Sequence, residues 1–213
     1  LLVIILQQRP KHHALLLTFA LMPVLSLLET TAAIFGVLSV LLARYAHVGV
    51  FPTGLVSTLL YIYICFGAGL YADMGVNAWY ASLSVYGWWR WTRPVPGQGV
   101  LPIAFANRRN WRIFTLLSGG SLLAIYFLLA RYTDSTVPFA DAFTTALAIG
   151  GMYLMAEKKV ENWIAWVVVD VASIFLYAYK GLPISSMQFV IFTVLALWGW
   201  HSWQKTATAA TSA

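Results

Sequence analysis

One aromatic motif is written twice in this chain, and the spacing of its copies constrains the fold more than any other feature. Tyr86-Gly87-Trp88-Trp89-Arg90-Trp91 returns as Trp198-Gly199-Trp200-His201-Ser202-Trp203, so both copies read aromatic-Gly-Trp-x-x-Trp at an offset of 112 residues. Gly69-Leu70 answers to Gly181-Leu182 at the same offset. Thr30-Thr31-Ala32 with Gly36 returns as Thr144-Thr145-Ala146 with Gly150, at an offset of 114. The two segments at offset 112 align without a gap, and the chain reads as two related halves. In an apolar chain, such duplication is a mark of transporter architecture.

The chain is apolar enough for that argument to hold. Of its 213 residues, 61% are hydrophobic and 9% charged, with a mean hydropathy of +0.77. A soluble domain carries about a quarter charged residues, so this chain cannot cover itself with polar groups and must meet lipid. Its net charge of +6 does not point to nucleic acid, because the basic residues sit at the ends of apolar runs, as membrane topology requires. The single Cys65 rules out an internal disulfide.

Seven core spans are predicted: Glu29–Tyr45, Phe51–Gly69, Leu70–Trp91, Ile113–Tyr132, Phe139–Ala156, Val160–Tyr179 and Leu182–Trp203. All are read as helices, since open strands leave backbone groups unpaired in hydrocarbon and the runs are continuous rather than alternating. Residues 14–28, with Pro23 inside, are expected to form an additional N-terminal helix, for a total of eight. Placing the Arg-rich loop after the third span in the cytoplasm collects nine basic residues there: Arg44, Arg90, Arg93, Arg108, Arg109, Arg112, Lys158, Lys159 and Lys205. Only Arg131 and Lys180 fall outside, a strong positive-inside bias. Three spans plus one linker span return the chain to the same side, so the halves are predicted to be parallel, a 3+1+3 arrangement. The expected divisions are an N-terminal segment and helix (1–28), a first three-helix repeat (29–91), a cytoplasmic loop and linker helix (92–136), a second repeat (137–204) and a disordered polar tail (205–213).

Little in the chain suggests catalysis. His12, His13, His47 and His201 lie at span ends, and no His-x-x-x-His or Cys-x-x-Cys is present, so no metal site is expected. Neither phosphate-binding glycine fingerprint occurs, so the chain encodes no ATP drive and needs no ATPase subunit. No cofactor is expected. Asp170 is the one carboxylate well inside a predicted span. Such a group faces a cavity or a partner; the alternatives are substrate contact or a hydrogen bond to a neighbouring Tyr, Ser or Thr. Asn77 and Gln188 each lie early in the third helix of their half, where an amide is either helix–helix glue or a substrate ligand. Trp163 and Trp166 share a helix face, and Trp79, Tyr80, Tyr86, Trp88 and Tyr177 are further candidates to line an aromatic cleft halfway across the bilayer. Trp91, Trp111 and Trp203 are expected in the interfacial belt instead. Aromatic faces with neutral amides suit a planar, polar, cationic solute.

The elements Glu161-Asn162-Trp163-Ile164-Ala165-Trp166, Leu70-Tyr71-Ala72-Asp73, Tyr86-Gly87-Trp88 with Trp91, and Asp141-Ala142-Phe143-Thr144-Thr145 resemble the PnuC family of bacterial vitamin transporters, over nearly the whole chain from Glu29 to Trp203. The resemblance implies a bacterial inner-membrane protein that takes up nicotinamide riboside, a pyridinium ribonucleoside, by facilitated diffusion, with intracellular phosphorylation trapping the product. It implies a same-orientation version of the SWEET architecture and a homotrimer. It also adds Asn162 to the substrate residues and supports Trp163 and Trp166. Subfamilies that resemble this one carry thiamine or riboflavin, and the lack of polar side chains around Gly150-Gly151 keeps thiamine open.

Overall fold

The computed structural model of the chain describes residues 15–67, 71–94, 97, 99–133, 135–181 and 183–212. They form seven helices: α1 (Leu15–Arg44), α2 (Val50–Gly67), α3 (Tyr71–Thr92), α4 (Arg108–Tyr132), α5 (Pro138–Ala156), α6 (Asn162–Tyr179) and α7 (Pro183–Thr211). Five of them are long and apolar enough to cross a membrane. The other two, α3 and α7, carry much of the Trp, Tyr and polar content; Trp91 and Trp203 are turned inward, whereas Trp88, Trp89 and Trp198 are exposed.

Three boundaries differ from the sequence reading. Residues 14–28 were expected to form a helix of their own, but Leu15–Arg44 is one continuous helix. No Gly or Pro lies between Val24 and Phe35 to interrupt it, and Pro23 is tolerated as prolines in membrane helices often are. At thirty residues α1 is about 45 Å long, and the eighth helix is absent among the described residues. The expected loop 92–112 ends earlier, because Asn107 and Asn110 form a reciprocal capping box: the Asn110 N–H donates to Asn107 Oδ1 at 3.0 Å and the Asn107 N–H to Asn110 Oδ1 at 3.2 Å. The tail expected to be disordered from 205 continues α7 to Thr211. Alanine favours helix there, and Ala207 is buried against the core.

Consecutive helices pack as α1 on α2, α2 on α3, α5 on α6 and α6 on α7. Further contacts, α3 on α5 and α7 on α1, close these six helices into a ring, while α4 packs outside against α5. The ends of α1, α3, α5 and α7 and the starts of α2, α4 and α6 share one face, which holds the nine basic residues and is called the basic end below. At the opposite face, Lys180 Nζ lies 2.6 Å from Asp141 Oδ1, and Ser135 Oγ donates to Asp141 Oδ2.

The same turn is built twice at the basic end, 112 residues apart. The N–H groups of Ala46 and His47 donate to the carbonyls of Ala43 and Leu42; those of Lys158 and Lys159 donate to Met155 and Leu154. Ala46 and Lys158 both adopt left-handed backbone, at φ 51° and 56°. The loop before α4 is laid over the second turn: Ala104 exchanges backbone hydrogen bonds with Lys158 and Val160, and the Ala106 N–H donates to Glu161 Oε2.

Candidate functional site

Three helices carry an inward stripe at alternating steps of three and four residues, the spacing of one helix face. On α3 it is Asn77, Tyr80, Ser84, Gly87 and Trp91; on α6, Trp163, Trp166, Asp170, Ser173 and Tyr177; on α7, Phe189, Phe192, Ala196, Gly199 and Trp203. All are buried or half-buried, whereas aliphatic residues such as Val85, Ile164, Val168, Val190 and Val194 are exposed. Polar groups inside and aliphatic groups outside are what a lipid solvent selects. The α3 and α7 stripes correspond at 112 residues, but Asn77, Tyr80 and Ser84 face Phe189, Phe192 and Ala196 in that register. The two stripes therefore share their spacing while differing in polarity.

The basic end of the ring is shut by four aromatic rings. Phe51 meets Trp91 edge-on at 4.8 Å, Trp91 meets Trp203 at 6.0 Å, and Trp203 meets Trp163 edge-on at 5.6 Å. Through the Trp91–Trp203 contact α3 and α7 touch across the interior. Gly87 admits the Phe51 ring and Gly199 the Trp163 ring; a Cβ on Gly199 would lie 2.6 Å from Trp163. The Trp91 indole N–H donates to Ala156 O at 3.1 Å, and that of Trp203 to Ala43 O at 3.2 Å, so each ring also pins the end of the neighbouring helix.

This arrangement corrects the expected roles of three tryptophans. Trp91 and Trp203 are not in an interfacial belt: they are 4% and 1% exposed. Trp163, 2% exposed, is part of the same plug rather than a cleft wall. Trp111, expected in the belt, is exposed near the start of α4. Asn162 lies at the first turn of α6, its amide donating to Lys159 O at 2.6 Å. Tyr86 leaves the stripe and donates to Glu157 Oε1 on the α3–α5 seam, where Arg90 also approaches that carboxylate at 3.6 Å. Trp88 is 42% exposed, off the stripe.

The remaining candidates do lie inward. Tyr80 and Trp166 pack against the plug from α3 and α6. Asp170, 5% exposed, stands mid-helix, about 12 Å from the start of α6 at 1.5 Å per residue. Among the described residues its carboxylate has no charged or hydrogen-bonding partner, so the hydrogen bond to a neighbouring Tyr, Ser or Thr is not formed. Ser173 and Tyr177 follow on the same face, and Tyr177 stacks on Phe189 at 5.1 Å with the rings 5° from parallel. Asn77 donates to Asp73 O of its own helix at 2.9 Å, and Gln188 is half-buried beside the α7 stripe. Sequence reasoning missed Phe51, Ser84, Ser173 and Glu157. The 112-residue register carried the signal for Phe51, which it pairs with Trp163.

Two cavities lie towards the basic end. One runs along the last turns of α7 beside His201 and Lys205. The other, about 480 Å³, lies at the α3–α5 seam under the start of α4. No group of three His, Cys, Asp or Glu side chains is placed to hold a metal ion among the described residues.

A family model described as nicotinamide mononucleotide transporter matches residues 26–205. The nicotinamide riboside transporter PnuC of Escherichia coli (strain K12) is 26% identical over 208 residues, spanning 86% of this chain and 87% of that protein. The riboflavin/roseoflavin transporter RibM of Streptomyces davaonensis is 27% identical over 173 residues, spanning 80% of this chain and 81% of its own length. The crystal structure of the vitamin B3 transporter PnuC superposes with a TM-score of 0.65, covering 96% of each chain at 22% identity, a likeness of fold.

Proposed function

This chain belongs to the nicotinamide mononucleotide transporter family, as a multi-pass integral protein of the bacterial inner membrane, and from that premise we propose that it takes up nicotinamide riboside by facilitated diffusion. The observation that carries the reading is Asp170. A carboxylate buried mid-bilayer without a protein partner is costly to keep, and a cationic solute offsets that cost when it binds. Trp166, one turn away on the same stripe, and Tyr177, two turns the other way, supply ring faces for a pyridinium. Asn77, Gln188, Tyr80 and Ser173 would supply polar contacts to the ribose.

In this reading the molecule is a parallel 3+1+3 duplication of the SWEET kind, α1–α3 and α5–α7 joined by α4. The doubled turns and the paired Gly–aromatic contacts support it. Rocking of one trio against the other would open the plug at the basic end, where Trp91 of α3 meets Trp203 of α7, and the present arrangement is the state with the plug shut. No ATP-binding fingerprint is present, so intracellular phosphorylation of the product would drive net uptake. Assembly is as a homotrimer, which native mass spectrometry would test as three copies of a 23.6 kDa chain.

Purified protein in empty proteoliposomes should show saturable riboside entry without ATP or an ion gradient; strict dependence on either would overturn facilitated diffusion. The similarity to RibM favours riboflavin as the second reading, and thiamine, another flat cation, is the third. Titrating all three ligands ranks them, and tighter binding of riboflavin or thiamine than of the riboside reverses the assignment.

A further inference from the structure

The cavity of about 480 Å³ at the α3–α5 seam has no part in the uptake path, yet it has the size of a small-ligand site. Arg90, Arg109 and Lys159 bring three cations to its wall against one carboxylate, Glu157. That carboxylate is already engaged by the Tyr86 hydroxyl and by Arg90. Neither Arg109 nor Lys159 lies within ion-pair distance of a carboxylate among the described residues. Burial lowers the Lys159 pKa, only partly countered by Glu157 and Glu161, so a bound anion would relieve a cost that the fold now carries. Trp89 and Tyr86, ring centroids 6.0 Å apart, add an aromatic wall.

We propose that this cavity binds a phosphate monoester, held by Arg109 and Lys159 with Arg90 as a third donor. The ester has two possible sources: the phosphorylated form of the carried nucleoside, which rests on the uptake reading above, and the headgroup of phosphatidic acid, which does not. The three cations belong to α3, α4 and the α5–α6 turn. An ester bridging them ties those elements together, keeps the seam closed at the basic end and slows transport. For the soluble source this is inhibition by the trapped product.

The test uses the full-length protein in detergent and in nanodiscs. Nicotinamide mononucleotide should bind saturably, and Arg109→Gln and Lys159→Gln should each weaken it about tenfold, the worth of one charge-assisted contact. If mononucleotide does not bind but phosphatidic acid is enriched around the wild type and not around the two Gln variants, the lipid is the source. Binding of neither, or mononucleotide binding unchanged in both variants, overturns the site. Where a Gln variant fails to elute as a single species, two checks replace it. Lys159→Arg should retain binding, and inorganic phosphate should displace the mononucleotide from the wild type; no displacement overturns the site. Mononucleotide sealed inside proteoliposomes should slow riboside exchange at least severalfold, and unchanged exchange overturns the closure of the seam. Riboside binding is measured on the same samples: its absence sinks the uptake reading and leaves the ester titration standing.

Discussion

At the scale of single residues, two glycines and one aspartate carry the argument. A Cβ on Gly199 would enter the Trp163 ring, and one on Gly87 the Phe51 ring. Each ring is fixed by the next member of the plug and has no room to yield. Gly87→Ala and Gly199→Ala should therefore each lose about 1–3 kcal/mol, the usual cost of overpacking, read as a lowered Tm in detergent. Gly120→Ala, where a Cβ meets nothing within 4 Å, should show no loss; equal drops in all three would mean that the plug is not tightly packed. Asp170→Asn keeps the side chain's shape and removes its charge. It should leave Tm unchanged or raised while weakening riboside binding at least tenfold, about 1.4 kcal/mol, and leaving the uncharged riboflavin unaffected. An unaltered riboside Kd would remove Asp170 from the site. The sequence showed that Asp170 and Trp163 are inside the bilayer but not how they divide between site and plug. That division depends on depth along α6, which helical periodicity does not encode. Trp163 also meets its partner, Trp203, forty residues later in the chain.

At the scale of elements, four of the seven predicted spans coincide with α2, α3, α5 and α6 to within two residues at both ends, because length and hydropathy suffice there. The other three fail where polar residues continue a helix, as Glu29-Thr30-Thr31 does inside α1. Asn107 starts α4 before the apolar run begins, and Gln204–Thr211 prolongs α7 beyond it. The asparagine pair three residues apart was a legible cap; the docking of Ala207 was not, since it depends on what α7 meets. The α5–α6 turn offers a pH test. Burial lowers the pKa of Lys158, which lies outside the spanning segments. A folded pKa below the unfolded one means that the charged form opposes folding. The penalty is therefore full below the lowered value and fades as pH rises from it towards about 10.4. The ammonium also sits 4.4 Å over the Trp91 ring, a contact that offsets part of the penalty at low pH. Lys158→Met should gain Tm relative to wild type most at pH 7.5, and the difference should shrink towards pH 10. A difference that is flat or grows over that range would show that the lysine is charged without cost.

At the scale of the whole molecule, the positive-inside asymmetry and the doubled turn make one joint prediction. If the trios are parallel, the α1–α2 turn and the α5–α6 turn lie on the same side of the membrane, with the basic residues, in the cytoplasm. An inverted duplication would put them on opposite sides. Cys65 is the chain's single cysteine, so a Cys65→Ser background allows one thiol at a time to be placed. His47→Cys and Lys159→Cys, at equivalent positions of the two turns, should react with a membrane-impermeant maleimide only after the cells are opened. Thr133→Cys, at the exposed far end of α4, should react in intact cells. In a parallel duplication the ring contacts α3 on α5 and α7 on α1 would be related to each other by an axis along the membrane normal. Labelling of His47→Cys and Lys159→Cys from opposite sides would therefore break the pairing of the two seams, and with it the carrier in which one trio rocks on the other. Labelling of both turns from outside would keep the duplication and reverse its orientation, leaving the nine basic residues on the side that membrane insertion disfavours.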